Sequence, residues 1–333
     1  MDEGQGARAV ATRTVPASAD GLAAAALVLA EGGLVAFPTE TVYGLGADAT
    51  RGEAVALIYA AKERPSFNPL IAHVPDVDAA RREGVFSAEA EALARAFWPG
   101  PLTLVVPAAL GCRVASLARA GLDSVALRVP DHPVARALLE AFGKPIVAPS
   151  ANRSGRVSPT RAEHVRADLE GRVDLILDGG PTRVGVESTI VACLADGPVL
   201  LRPGGVARAE IERVLGRPLP RRAPEPAAAI APVSPGLLAS HYAPRAKVRL
   251  GATEVWAGEA VLDFAGQLGP KGALAWLDLS ARGDLVEAAA NLFGHLRALD
   301  ESGATVIAVA PIPETGLGEA IADRLGRAAA PRG

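Results

Sequence analysis

Cysteine is almost missing: Cys112 and Cys193 are the only two in 333 residues, far apart and without any paired-Cys spacing. That excludes zinc ribbons and a disulfide-built secreted scaffold, and it fits a reducing compartment. An excess of either charge is also lacking. The 34 Lys and Arg are set against 37 Asp and Glu, for a formal net charge of −3, and the arginines are interspersed with acids. No general nucleic-acid-binding face is expected, so any cationic feature must be local. Nor is there a long apolar run near the start: residues 21–30 are too few to cross a bilayer and follow an acidic N-terminus, so neither a membrane helix nor a signal peptide is indicated. A cytoplasmic protein without membrane contact is expected. A P-loop motif and an acidic cluster at metal-ligand spacing are absent as well.

What is present is ample material for burial. Half of the residues are apolar, and 333 residues exceed one average domain, so two domains are the expectation. The densest chemistry lies in residues 34–68. Ser18 and Asp20 are placed to cap a helix running to Ala30, which Gly32 and Gly33 stop. A short strand, 34–37, ends at Pro38, and Thr39, Thr41 and Tyr43 share one side if the chain stays extended. Gly44 and Gly46 then permit a sharp turn. With Ala49 they match the outline of a dinucleotide loop, but no strand leads straight into the first glycine and no clean βαβ unit follows.

The next helix, 54–62, should end at Lys62 or Glu63, because Pro65 biases Arg64 out of the α region. On a continuous helix Lys62 and Arg64 would face apart; a break between them lets both turn into one pocket. The alternative is a lysine offsetting the helix dipole beside a solvated arginine. Residues 70–74 alternate as a strand that leaves His73 opposite Leu70, Ala72 and Val74. Trp98-Pro-Gly-Pro101 reads as a rigid turn with Trp98 in packing. In the strand 124–129, Ser124 and Arg128 share the face opposite Val125, Leu127 and Val129. If that sheet is covered on both sides, the guanidinium must be paired or must line a cavity. After an apolar strand at 144–149, Ser150 and Asn152 can project together toward a phosphate or can simply serve a turn. Further strands at 175–177, 188–193 and 200–202 and a helix to Leu215 mix irregularly with the earlier elements, which describes one α/β domain with a mixed sheet.

Residues 217–244 carry seven prolines and little periodic pattern, so they form an extended linker, either a plain tether or a segment that returns His241 and Tyr242 to the pocket. Beyond it, strands at 247–250, 260–264, 273–277 and 304–310 alternate with helices at about 284–300 and 316–329, a small α/β domain. Asp323 and Arg324 on the last helix read as an exposed pair.

Several segments together resemble the longer, two-domain Sua5 type of threonylcarbamoyl-AMP synthase: FPTETVYGLG at 37–46, KERPSFNPL at 62–70, ALRVP at 126–130, APSANRSG at 148–155, ESTIV at 187–191, LRPGG at 201–205 and SPGLLASHYAP at 234–244. The resemblance covers nearly the whole chain. It implies a YrdC-like catalytic domain at 18–216 with a twisted mixed sheet, a linker at 217–244 covering the site, and a Rossmann-like C-terminal domain at 245–333. It implies joining of L-threonine, bicarbonate and ATP into threonylcarbamoyl-AMP with release of pyrophosphate, the product being passed to a downstream transferase that modifies adenosine in tRNA. Carried over motif by motif, Thr41, His73, Arg128 and Ser188 match threonine-binding positions, with Arg128 on the carboxylate. Arg64, Asn68, Ser124, Ser150, Asn152, Ser158 and Arg202 match ATP-binding positions, Lys62 and Arg64 the catalytic pair, and His241 and Tyr242 the covering linker. Mg2+ would come with ATP, held through phosphate and water, with no protein metal site. Glu63 departs from the family pattern, where a small residue is frequent between Lys62 and Arg64.

Two other readings make different demands. A non-catalytic tRNA- or double-stranded-RNA-binding module would need a basic surface, which the net charge disfavours. A carbamoyltransferase of hydrogenase maturation would carry paired-Cys zinc fingers, which two isolated cysteines cannot supply.

Overall fold

A computed structural model describes residues 10–64, 68–221 and 242–331. His241, the Ser234 motif and most of the linker lie outside the described residues. The first described part runs β1 (Arg13–Pro16), α1 (Ala19–Ala30), β2 (Val35–Pro38), β3 (Tyr43–Asp48), α2 (Gly52–Lys62), β4 (Ile71–His73), α3 (Val77–Glu83), α4 (Ala88–Phe97), β5 (Leu102–Pro107) and β6 (Ser124–Arg128). It continues with α5 (Pro133–Phe142), β7 (Ile146–Val147), α6 (Ala162–Leu169), β8 (Leu175–Asp178), β9 (Thr189–Leu194), β10 (Gly197–Arg202) and α7 (Arg208–Leu215). The C-terminal part holds β11 (Lys247–Arg249), β12 (Ala260–Asp263), β13 (Ala275–Asp278), α8 (Leu285–Glu301), β14 (Val306–Val309) and α9 (Gly318–Ala329).

The fold is α/β in both parts. Ten strands form one mixed sheet in the order β1-β8-β2-β3-β7-β4-β6-β5-β9-β10, and four form a second, wholly parallel sheet in the order β11-β14-β12-β13. Local chemistry starts the elements where expected. Ser18 caps α1 by accepting from the Gly21 amide, and Trp98 is buried with its indole N–H on the Leu102 carbonyl at 2.7 Å. Strand alternation holds too: Leu70, Ala72, Val74, Val125, Leu127 and Val129 join the main core. α1 and α5 cover the β1-β8-β2 side of the sheet through a separate cluster that includes Leu29, Val35, Leu138 and Leu177.

Two expectations are corrected in the 39–46 stretch. The chain does not stay extended after Pro38; it doubles back, pairing Pro38 with Tyr43 in an antiparallel hairpin. The turn is closed by Thr39, whose hydroxyl lies 2.7 Å from that of Thr41 and donates to the Val42 carbonyl at 2.8 Å. Gly44 and Gly46 make no turn at all but lie within β3, where a Cβ on Gly46 would sit 2.7 Å from the Phe37 ring. They permit close approach across the hairpin.

The C-terminal unit packs directly on the large one. Val42, Val157 and Val186 belong to the same apolar cluster as Leu262, Leu292, Phe293 and Ile321. Gly185, at φ +75°, lies so close under α8 that a Cβ there would come within 2.3 Å of the Ala289 carbonyl oxygen. Arg297 of α8 reaches the Val157 carbonyl and pairs with Asp168 at 2.7 Å.

Candidate active site

The pocket opens at the ends of β4, β6, β7, β9 and β10. In the parallel pair β4–β6, His73 stands directly across from Arg128, so the alternation of each strand delivers both to one face. Both are buried. Burial, reinforced by the neighbouring Arg128 guanidinium, pushes the His73 imidazole down to about 3, so the ring is neutral and its Nδ1 has no hydrogen-bond partner among the described residues. Arg128 meets the demand that a buried cation be paired: its Nη2 is 2.7 Å from the carboxylate of Glu40, which has no exposure. The contact is not aligned as a hydrogen bond, and both Glu40 oxygens and the Arg128 Nη2 remain without such a partner among the described residues. Glu40 was not singled out in the sequence, because no periodicity reveals which acid of a turn will face which strand.

The end of α2 breaks as the sequence predicts. Glu63 takes the left-handed conformation at φ 54°, ψ 44°, an unfavourable one for a residue with a side chain. Its carboxylate pairs with Arg153 at 2.7 Å and Arg172 at 2.8 Å, which explains an acid at a position where the family resemblance favours a small residue. The two cations on either side then part company. Arg64 lines the pocket, where burial brings its guanidinium down to about 10. Lys62 faces the wall behind it, donating to the Ser150 carbonyl at 2.6 Å and to the Asn152 carbonyl, and burial followed by Arg64 drives its amine well below the usual lysine range.

Arg202 reaches the pocket through an irregularity. The β9–β10 register shifts between Leu200 and Arg202, and such a bulge re-aims a side chain. The guanidinium donates to the Ser188 carbonyl at 2.8 Å and approaches the Ser188 hydroxyl at 3.3 Å, while that hydroxyl sits 2.8 Å from Thr103 Oγ1. Gly204 is required beside them, since a Cβ would fall 2.3 Å from the Glu187 carbonyl oxygen. Glu187 lines the pocket and is buried. Burial alone would raise its carboxyl, but Arg324 and Arg202 outweigh it and hold it below the ordinary glutamate value.

Arg324 corrects another expectation. It is no exposed partner of Asp323: it is fully buried, donates from Nε to Glu187 at 2.7 Å, and lies 5.2 Å over the Tyr242 ring, which stacks on Phe293 at 5.5 Å. A signal was available, because Arg324 shares the helical stripe of Ile321 and Ala328, at i−3 and i+4.

The pocket wall thus brings together Thr41, Arg64, His73, Arg128, Ser150, Ser188, Arg202 and Tyr242, with Glu187 as an addition. Other residues predicted for the site stand behind it. Asn152 and Ser150 do not project together: the Asn152 amide donates to the carbonyls of Arg153 and Arg156, both at 2.8 Å, bracing its own loop. Ser158 donates to Glu187 at 2.5 Å. Asn68 is buried with both amide atoms unmatched among the described residues. Ser124 begins β6, paired with Pro107, about 13 Å of strand from Arg128, and does not line the pocket. Among the described residues no group of three His, Cys, Asp or Glu is arranged to hold a metal ion. The two carboxylates nearest the pocket are each committed to an arginine. The arrangement offers fixed cations and hydrogen-bond donors to an anionic ligand.

Comparison with known proteins gives the same outline. The Sua5/YciO/YrdC family model, described as "Telomere recombination", matches residues 27–204, and the model for the C-terminal domain of threonylcarbamoyl-AMP synthase matches 206–330. A Bacillus subtilis protein named threonylcarbamoyl-AMP synthase is 43% identical over 93% of this chain and 93% of its own. One of the same name from Pyrococcus abyssi is 43% identical over 91% of this chain and 92% of its own. The crystal structure of P. abyssi Sua5 complexed with L-threonine superposes with a TM-score of 0.86 at 38% identity, covering 96% of this chain and 97% of that one.

Proposed function

Because the chain belongs to the two-domain Sua5 family of threonylcarbamoyl-AMP synthases, we propose that it condenses L-threonine, bicarbonate and ATP to threonylcarbamoyl-AMP, as a nucleotidyltransferase. The observation that carries this reading is the convergence of Arg64, Arg128 and Arg202 on one buried pocket that also presents unmatched polar groups. Buried polar atoms are ordinarily satisfied, and those that are not ask for a ligand.

The chemistry explains the charge. The threonine amine takes up bicarbonate with loss of water, giving a carbamate beside the carboxylate, and a carbamate oxygen then attacks the α-phosphorus of ATP as pyrophosphate leaves. Anion must approach anion, so fixed cations and donors that need no reorganisation lower the barrier. Arg128 takes the threonine carboxylate, with neutral His73, Thr41 and Ser188 shaping the rest of the amino acid. Arg64, Arg202 and Ser150 face the nucleotide phosphates, with Asn68 behind them. Lys62, Asn152 and Ser158 act by holding the walls: Lys62 pins the 150–152 loop through two carbonyls. Tyr242, at the end of the linker, lines the same pocket. Mg2+, arriving on the triphosphate, would supply neutralisation of its charge, and a site whose acids are already paired suits an ion held by phosphate and water.

The product is a labile mixed anhydride, so its consumer is a transferase that moves the threonylcarbamoyl group to adenosine in tRNA. We place the reaction in the cytoplasm, a reading supported by two unpaired cysteines and by the finding that no described helix is long and apolar enough to cross a membrane. The test is incubation with ATP, threonine and bicarbonate while pyrophosphate and threonylcarbamoyl-AMP are followed. Threonine-dependent formation of both is expected, and its absence would refute the assignment.

A further inference from the structure

We propose that Arg324, carried by the C-terminal unit, is a positioning residue for the nucleotide site: it holds the Glu187 carboxylate away from Arg202 and so leaves Arg202 free for phosphate. This inference rests on the function proposed above. Both Glu187 oxygens are already engaged, Oε2 by Arg324 Nε at 2.7 Å and Oε1 by the Ser158 hydroxyl at 2.5 Å. Arg202, on the same pocket wall, spends its Nε and Nη2 donors on Ser188 and not on Glu187. Three charges thus share a buried region, and the pairing chosen is the one that takes the acid toward the C-terminal unit.

Besides Glu187, two groups hold Arg324 in place. Asp323 accepts from its Nη1 at 2.8 Å, and Asp323 is fixed in turn by Arg327 at 3.0 Å and by Arg221, near the start of the linker, at 3.0 Å. The Tyr242 ring lies under the guanidinium, wedged against Phe293. One helix of the C-terminal unit therefore fixes an acid on the pocket wall and an aromatic ring from the end of the linker together.

Without Arg324, a buried carboxylate would lose its cation, and the nearest relief is a pair with Arg202, which would draw that guanidinium off the phosphates. The result is a selective defect in nucleotide handling. A purely structural role would disturb both substrates alike. A direct contact from Arg324 to the nucleotide is the other alternative, because its Nη2 has no hydrogen-bond partner among the described residues.

The experiment compares Arg324→Met, Arg324→Lys and the double variant Glu187→Gln/Arg324→Met in the full-length protein. ATP affinity is read by equilibrium binding without turnover, and KM for ATP and for threonine by product formation. Arg324→Met is expected to weaken ATP binding at least about tenfold, the loss of one charge contact, with threonine KM nearly unchanged. The double variant should recover most of that loss, since no carboxylate is left to capture Arg202. A double variant as weak as Arg324→Met, or equal changes in both KM values, overturns the proposal. If Arg324→Met does not fold, Arg324→Lys decides: its shorter point charge should give an intermediate weakening, and wild-type ATP affinity would overturn the proposal. Failure of the wild type to form product would refute the assigned reaction while leaving the ATP-binding comparison readable.

Discussion

Buried polar groups are treated in opposite ways at two places in the molecule, the Asp263 turn and the pocket. In the C-terminal unit, Asp263 is fully buried and its carboxylate accepts from the amides of Phe264 at 2.8 Å and Gly269 at 2.9 Å and from the Trp276 indole at 3.0 Å. It needs nothing further. In the large unit, Arg64, Asn68, His73 and Arg128 are also buried, yet each keeps at least one polar atom unmatched among the described residues. The first pattern is that of a group that fastens a fold, the second that of a surface prepared for a ligand. Burial alone does not distinguish them; satisfaction does.

The sharpest way to break this comparison is Arg64→Ala. Turnover should fall by at least roughly a hundredfold, as for loss of a charge contact made in the transition state, while the thermal midpoint stays near that of the parent. An unchanged rate would make Arg64 a buried wall residue with no part in the reaction. Asp263→Ala should do the reverse. It is expected to cost roughly 2 kcal/mol of stability, because several buried donors lose their acceptor, and to leave ATP affinity of the folded protein intact. A loss of ATP binding with unchanged urea midpoint would erase the distinction.

Removal of residues 234–333 bears on the linker. Faster nucleotide release is expected if the segment acts as a lid, and unaltered ATP affinity would make it a tether. Because the truncation also removes Arg324, it is read beside the Arg324 variants.

The smallest effect is one of pH. His73 is pushed down to about 3 by burial and then by Arg128, and His164 to about 4 by burial and then by Arg297, from an ordinary 6.5. The unfolded chain therefore takes up protons that the folded chain refuses. Stability should be complete above about pH 6.5 and decline as the pH falls toward these lower values. Urea midpoints at neutral and mildly acidic pH would show it, and His73→Asn should flatten the slope. An equal slope in that variant would remove His73 as the cause.

Much of this was legible in residues whose neighbours in sequence decide their fate. Ser18 caps a helix by local bonds, Arg64 follows a proline-enforced break, and strand alternation delivers His73 and Arg128 to one face. Illegible were the features that depend on pairing between distant segments. The hairpin at Thr39 requires Tyr43 to pair back on Pro38, and the aim of Arg202 depends on a register shift against β9. Between the two roles open to Asn152, the loop one is taken because its own loop offers its amide two carbonyls, which spacing alone could not decide. The helical stripe could mark Arg324 as buried but could not name Glu187, 137 residues away, as its partner.

Gly185 has a consequence for how such a protein can be altered. Its backbone and that of Ala289 leave no room for a single added methyl group between them, and only three positions separate Gly185 from Ser188. The two halves are consequently poor candidates for exchange as modules. A chimaera joining this large unit to a foreign C-terminal unit would have to inherit the matching helix surface along with it, or shift the very loop that presents Glu187 and Ser188.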